Sequence, residues 1–251
     1  MAFYDDLAEN YHLIFYNWVA AVERHGDILN RFIRSNLTNS GVAPISLLDC
    51  SCGIGTQAIG LAKRGFTVTA TDLSSVAIQR AKRESQSFGV EIDFGVADFR
   101  SLETDVTGKF DVVLSADNAL PHLISDDDLY LAGRNMYAKI RQGGLLVVTT
   151  RDYDALVQDK PCVTQPNVYD NGKRIVFQVW DWEDDSKTYI LNHFIVQDIN
   201  GKWETKHRRT QYRALLRHEL DSILCACGFK DVTWHMPEES GYYQPIVTAH
   251  K

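Results

Sequence analysis

The stretch Leu47-Leu48-Asp49-Cys50-Ser51-Cys52-Gly53-Ile54-Gly55-Thr56 decides how the rest of the chain is read. An apolar run ends in an acid and then in two glycines, the pattern of a buried strand that turns sharply into a helix. Residues without a Cβ let backbone N–H groups approach a ligand closely at such a turn. Gly53-x-Gly55-x-x-Ala58 also fits a dinucleotide fingerprint, and Asp72 follows at a spacing that suits a carboxylate on a ribose. Taken alone, the loop leaves a nicotinamide-dependent oxidoreductase open.

Outward from this loop, strand and helix patterns alternate over residues 45–50, 57–64, 66–71, 75–88, 91–96, 110–116, 127–141 and 145–150. That alternation implies a parallel sheet with helices on both faces. Ser74 or Ser75 is placed to cap one helix and Ser125 with Asp128 another, while Gly143-Gly144 reads as the end of the helix over 127–141. Upstream, Leu7, Tyr11, Ile14, Phe15, Trp18, Val22, Ile28, Leu29 and Phe32 recur at helical spacing, which predicts two leading helices with a break near Gly26 and a loop over 35–44. Downstream, β-rich segments over 174–182, 188–197 and 203–211, joined at Asp184-Asp185 and Asn200-Gly201, predict an antiparallel insertion covering one sheet edge. An amphipathic helix from Leu215 to Cys227, a Gly228 stop and strands over 229–235 and 243–250 close the chain.

The expected fold is α/β, a Rossmann-like doubly wound sheet, mostly parallel with an antiparallel last strand. The chain reads as one domain over 1–251, with a helical cap (1–44), a cofactor-binding core (45–152), a β-rich insertion or substrate lid (153–212) and a closing helix and strands (213–251). Its 251 residues suit a single elaborated α/β domain, which commonly reaches roughly 200–250 residues.

Composition narrows the partners. Lys and Arg number 26 against 33 Asp and Glu, a net charge of −7 without a long basic block, which argues against a surface that tracks phosphates. Nucleic acid and membrane are therefore set aside in favour of a small molecule. The first residues carry Asp5, Asp6 and Glu9 without a basic leader, and no apolar run approaches the roughly 20 residues that span a bilayer, so a cytoplasmic protein is expected. Five cysteines fit reduced thiols better than a disulfide framework. Cys50/Cys52 and Cys225/Cys227 read as buried structural pairs, and the histidines lack a metal-ligand spacing, so no metal is expected.

Three further residues separate the readings of the glycine loop. Asp49 stands in the strand before it, Asp98 just after the third strand, and Phe99 beside Asp98. Together with Asp72 they supply a ribose carboxylate, an acceptor for an adenine amino group and an aromatic face. That set suits an adenosyl group without a second nucleotide.

The order Asp49…Gly53-x-Gly55, Asp72, Asp98-Phe99, Phe110-Asp111 and Gly143-Gly144 resembles the class I S-adenosylmethionine-dependent methyltransferases over nearly the whole chain. Ser51 stands where a glycine is common and Gln142 where a proline often precedes the glycine pair. More narrowly, the segments from Ala116 to Leu123 and from Gly143 to Asp154 resemble the glycine/sarcosine N-methyltransferase group. The resemblance implies cofactor contacts at Ser51, Gly53, Gly55, Asp72, Leu73, Asp98, Phe99, Ala116, Asp117 and His122. It implies S-adenosyl-L-methionine as cofactor, with S-adenosyl-L-homocysteine as product. Tyr11, Trp18 and Arg24 resemble an N-terminal segment that closes over the cofactor, with an apolar helix face as the alternative for Trp18. Asn118 and Arg151 match residues that hold the substrate, and Tyr243 resembles a tyrosine of a Tyr-x-Pro closing strand that reaches the acceptor amine.

Methyl transfer from a sulfonium needs an in-line neutral nucleophile more than a dedicated base, which agrees with the lack of a Ser-His-Asp or Cys-His arrangement. Arg151 leaves the end of a central strand, where a guanidinium can clamp a carboxylate bidentately, unless Asp152 or Asp154 pairs with it. Asp117 replaces a small glycine of the glycine-methylating pattern, so it either pairs a cationic group of the acceptor or accepts from the cofactor's amino group. The expected function is methyl transfer to the nitrogen of a small amine or amino-acid-like substrate bearing a carboxylate. A small-molecule O-methyltransferase, an oxidoreductase and a noncatalytic cofactor-binding protein are the alternatives.

Overall fold

The computed structural model describes residues 8–37, 44–185 and 187–251. Five parallel strands form the central sheet: β1 (Ser46–Asp49), β2 (Thr67–Asp72), β3 (Asp93–Val96), β4 (Phe110–Ser115) and β5 (Ile140–Thr149). They run in the order β3-β2-β1-β4-β5, and two closing strands complete the sheet of seven, β11 (Ile246–His250) beside β5 and β10 (Lys230–His235) at the edge. β11 is antiparallel to both neighbours. A second sheet holds β6 (Asn167–Tyr169), β7 (Arg174–Trp182), β8 (Thr188–Ile199) and β9 (Lys202–Arg213), all antiparallel.

The central strands read as continuous apolar runs because both of their faces are buried. Their period of two divides them between two cores: Leu48, Val113, Leu146 and Val148 pack on one face, and Leu47, Val112, Leu114, Leu145 and Val147 on the other. Each such side chain contributes about 1.5–3 kcal/mol on full burial. Because the five strands are parallel, their carboxyl ends open on one side, and the order reverses between β1 and β4, the crevice where open α/β sheets hold ligands.

Several expectations are corrected by the packing. A 3-10 turn (Tyr11–Ile14) and one continuous helix (Trp18–Asn36) replace the two leading helices, and Asn17 caps that helix by accepting from the Ala20 N–H at 3.0 Å. Residues 1–7 and 38–43, which include Leu7 and most of the expected loop, lie outside the described residues. Gly26 marks a close approach and not a break. A Cβ on Gly26 would stand 2.6 Å from the Gly60 carbonyl oxygen, and one on Gly60 would stand 2.6 Å from that of Val22. The paired glycines let Trp18–Asn36 cross the helix Thr56–Ala62 at backbone contact.

The helix Asp126–Lys139 passes directly into β5, so Gly143-Gly144 lie inside a strand, next to a register shift between β4 and β5. The last strand starts at Ile246, which leaves Tyr243 in the bend before it. Helical turns at Leu102–Asp105, Tyr153–Asp159 and Pro237–Ser240, and the strand β6, were not anticipated, each being too short to carry a period. The insertion is an antiparallel sheet, as its alternation predicts. Its inner face meets residues beyond the carboxyl ends of β4 and β5: His122 lies 4.1 Å from Tyr212 between ring centroids, and Arg151 bonds Gln178 and Tyr189. Cys225 is exposed, unlike its expected partner Cys227. Among the described residues no helix is long and apolar enough to cross a membrane.

Candidate active site

The strand ends build the floor. Asp72 closes β2 and accepts twice, from the Gly53 N–H at 2.8 Å and from the Ser74 N–H at 2.9 Å, which ties the glycine loop to the next helix start. Ser51 and Ser115 share a hydroxyl contact of 3.0 Å across β1 and β4. Asp49 is buried beneath the loop. One of its oxygens accepts from the Ser51 N–H at 3.3 Å and the other has no partner among the described residues, and burial pushes its carboxyl up to about 8.

Above this floor lies a cavity of about 450 Å³. Of the residues expected at the cofactor, Tyr11, Ser51, Gly53, Asp72, Leu73, Asp98, Phe99, Ala116, Asp117 and His122 all line it. Gly55 does not. It forms the left-handed turn that starts the helix Thr56–Ala62, with φ +91°. Trp18 also lies off the cavity, buried with its indole N–H donating to the Thr56 hydroxyl at 2.9 Å, as the apolar-face alternative required. Arg24 is exposed and borders a second cavity.

An adenosyl ligand fits the first cavity. A Cβ on Gly53, at φ +53°, would meet no atom within 4 Å, so that backbone faces open space. Phe99 offers an aromatic wall and Asp72 a half-buried carboxylate. Asp98 carries a feature the sequence reading did not include: the Arg100 guanidinium donates to both of its oxygens, at 2.6 and 3.1 Å, and to Asp128 at 2.9 Å. Burial works against the Asp98 charge, but these bonds outweigh it and hold the carboxyl below its usual value.

The second cavity, of about 500 Å³, meets the first at Tyr11 and Asp117, which line both. Asp117 and Asn118 are left-handed in succession, with φ +57° and +67°. Three side chains converge on the Asp117 carboxylate at 2.7 Å: the Tyr242 and Tyr243 hydroxyls donate to one oxygen and the Gln57 amide to the other. Burial and then the Asp117 charge keep the Tyr242 phenol protonated by raising its pKa. Both oxygens that were expected to face an acceptor cation therefore already hold protein donors.

Asn118, expected at the substrate, is buried and chiefly braces the chain. Its carbonyl accepts from the Thr150 hydroxyl and the Arg151 N–H, and its amide donates to Tyr153. Arg151 itself is half-buried, donates to the Tyr189 hydroxyl at 2.8 Å and to the Gln178 carbonyl at 3.1 Å, and lies over Trp180. Asp152 and Asp154 pair with Arg217 instead, and among the described residues Arg151 has no carboxylate partner. Burial opposes its charge, yet the phenols of Tyr189, Tyr153 and Tyr212 raise its pKa. Tyr243 stands at the same cavity with its hydroxyl committed to Asp117.

Gln57, Gln178, His193, Tyr242 and Arg100 escaped the sequence reading. For two of them a signal existed: Gln178 and His193 are polar residues on inward-facing positions of β7 and β8, flanked by Val176 and Trp180 and by Leu191 and Ile195. A polar residue in such a register asks for a partner.

Residues 47–144 match the methyltransferase domain family. The glycine/sarcosine N-methyltransferase of Parasynechococcus marenigrum (strain WH8102) is 31% identical over 155 residues, which are 61% of this chain and 53% of that protein. The chain thus spans about half the length of that relative. The glycine/sarcosine N-methyltransferase of Aphanothece halophytica is 24% identical over 91% of this chain and 80% of its own length. In fold, the chain superposes on an S-adenosylmethionine-dependent methyltransferase from Clostridium acetobutylicum ATCC 824 with a TM-score of 0.73, at 16% identity and over 91% of each chain. With the strand order, the Gly53–Asp72 floor and the family match in agreement, residues 47–144 form a methyltransferase domain, and the chain resembles the class I S-adenosylmethionine-dependent methyltransferases and, within them, the glycine/sarcosine N-methyltransferases.

Proposed function

We propose that the chain transfers a methyl group to the nitrogen of a small amine that carries a carboxylate. The observation that carries this reading is the pair of cavities joined at Tyr11 and Asp117, the second of them bordered by a guanidinium with no carboxylate partner among the described residues. When bound, S-adenosyl-L-methionine supplies an electrophilic methyl group. Asp72 would hold its ribose and Asp98 and Phe99 its adenine, with Ser51, Gly53, Leu73, Ala116, His122 and Tyr11 around them.

On the acceptor side Arg151 anchors the carboxylate, fixed in aim by Tyr189, Gln178 and the Trp180 face. Asn118 positions Arg151, and Tyr243 with Asp117 borders the place where the two cavities meet. Residues 153–212 act as the roof over the acceptor, since β7, β8 and β9 supply Gln178, His193 and Tyr212 to that cavity. Orientation and exclusion of water then carry the acceleration, with no base assigned. Free cysteines, two of them exposed, suit a reducing cytoplasm.

The test is a labelled-methyl transfer screen over amino acids, secondary amines, guanidino and imidazole acids and phenols, run beside Arg151→Ala. The expected result is transfer to a carboxylated amine whose kcat/KM falls roughly 30- to 1000-fold in the variant, for the loss of one buried charged contact of about 2–4 kcal/mol. Transfer only to acceptors without a carboxylate, or transfer indifferent to the variant, overturns the reading.

A further inference from the structure

Gln178 and His193 face each other across β7 and β8, as partners in register. The Gln178 carbonyl oxygen accepts from two groups that can only donate, the Arg151 guanidinium and the Trp180 indole, each at 3.1 Å. That pair fixes the orientation of the carboxamide, so its NH2 points to His193, where Nε2 of Gln178 lies 3.3 Å from Nδ1. An NH2 has nothing to accept with, so Nδ1 is the acceptor and a neutral ring carries its proton on Nε2. Burial and then the Arg151 charge push the His193 pKa down to about 4, which keeps the ring neutral at physiological pH.

The consequence is a buried donor left over. His193 is 3% exposed, its Nε2 has no partner among the described residues, and the residue borders the second cavity beside Arg151. An unsatisfied buried N–H is destabilising, and a bound group that accepts from it recovers the cost. His25, at the same cavity, also has an Nε2 without a partner among the described residues, but its Nδ1 competes for the Gln57 amide with Asp117 and Tyr242, and its tautomer is not fixed.

We propose that the Nε2–H of His193 is a specificity-determining donor that, next to Arg151, binds the acceptor's carboxylate, with Gln178 as the positioning residue that sets its tautomer. The inference rests on the function proposed above and extends it: the carboxylate is read by one charged and one neutral donor. A neutral donor adds directionality without adding a second positive charge to the pocket.

The test uses the full chain with sarcosine and dimethylamine, which differ by the carboxylate, as probes. His193→Leu is expected to raise the KM for sarcosine about tenfold, with kcat and the affinity for S-adenosyl-L-homocysteine within twofold of the unmutated protein. His193→Gln, which can return an N–H near the same place, is expected to recover most of the loss. In 15N spectra of histidine-labelled protein holding S-adenosyl-L-homocysteine, the proton should reside on Nε2 of His193, and its signal should move with sarcosine and not with dimethylamine. An unchanged KM in His193→Leu, a proton on Nδ1, or a signal blind to sarcosine overturns the proposal. If His193→Leu fails to fold, the spectra of the unmutated protein decide alone. Methyl transfer to sarcosine that depends on Arg151 but not on His193 refutes this inference alone, whereas failure of the unmutated protein to methylate any carboxylated amine refutes the proposed function with it.

Discussion

The two cavities meet at a shared pair of residues yet are built in opposite ways. The first is a floor of backbone and acids, made by strand ends and the loops just beyond them: Asp72, Asp98, and Gly53 at the turn, above the buried Asp49. The second is a chamber of side chains drawn from the leading turn and helix, the end of β5, the inserted sheet and the closing bend. A parallel sheet presents every strand end on one side, so its floor follows from the fold. The chamber has no such guarantee, and each wall is held by hydrogen bonds between residues far apart in sequence, such as Arg151 to Tyr189 and Gln57 to Asp117.

The contrast extends to protons, where the largest effect is expected. Asp49 has its carboxyl raised by burial from 3.8 to about 8, so its contribution to stability is fully present below about pH 4 and is lost as pH rises through 8. His193 runs the other way: lowered from 6.5 to about 4, it contributes above about pH 6.5 and loses that contribution as pH falls through 4. Asp49→Asn should therefore remove a decline of a few kcal/mol between pH 5 and 8, read by urea unfolding across that range. A variant with the unmutated pH profile would erase this difference between the regions.

Next in size is the separation of binding. Asp72→Ala should weaken S-adenosyl-L-homocysteine about 10- to 150-fold, the worth of a hydrogen bond to a charged group at about 1.5–3 kcal/mol, while the KM for the acceptor holds. Calorimetric titration and initial-rate kinetics check the two halves, and equal losses on both sides would break the comparison. The smallest effect belongs to the seam. Asp117→Asn keeps the shape but removes the charge on which three donors converge, and a loss of about 2- to 10-fold should be felt in both cofactor affinity and acceptor KM. A loss confined to one side would assign Asp117 to that cavity alone.

The same division explains what could be read in advance. The floor was legible because its chemistry is local: an apolar strand, an acid and a glycine turn occupy ten adjacent residues, and Asp72 and Asp98 recur at later strand ends. Arg151 and Tyr243 were reached through resemblance, and their contacts could not be. Gln178 meets Arg151 only because β7 folds back over β5, a tertiary event that no period encodes. Gly26 misled for a related reason. Locally a glycine within a helix signals a break, but here a second glycine on a crossing helix makes it a contact point. Trp18 and Gly55 lie off the cavity because one anchors the cap through Thr56 and the other shapes the turn.

The successive left-handed residues at Asp117 and Asn118 have a consequence for engineering. A backbone in that region disfavours most side chains by roughly 1–2 kcal/mol, aspartate and asparagine less than others and glycine least. Glycine at position 117 would relieve that strain but leave the Gln57, Tyr242 and Tyr243 donors without the carboxylate they surround, at about 1–3 kcal/mol for each buried one. The aspartate is therefore kept at this turn by the donors around it, against the preference of the backbone. Robustness at position 117 would instead be sought in its surroundings, where any change must leave the three donors their acceptor.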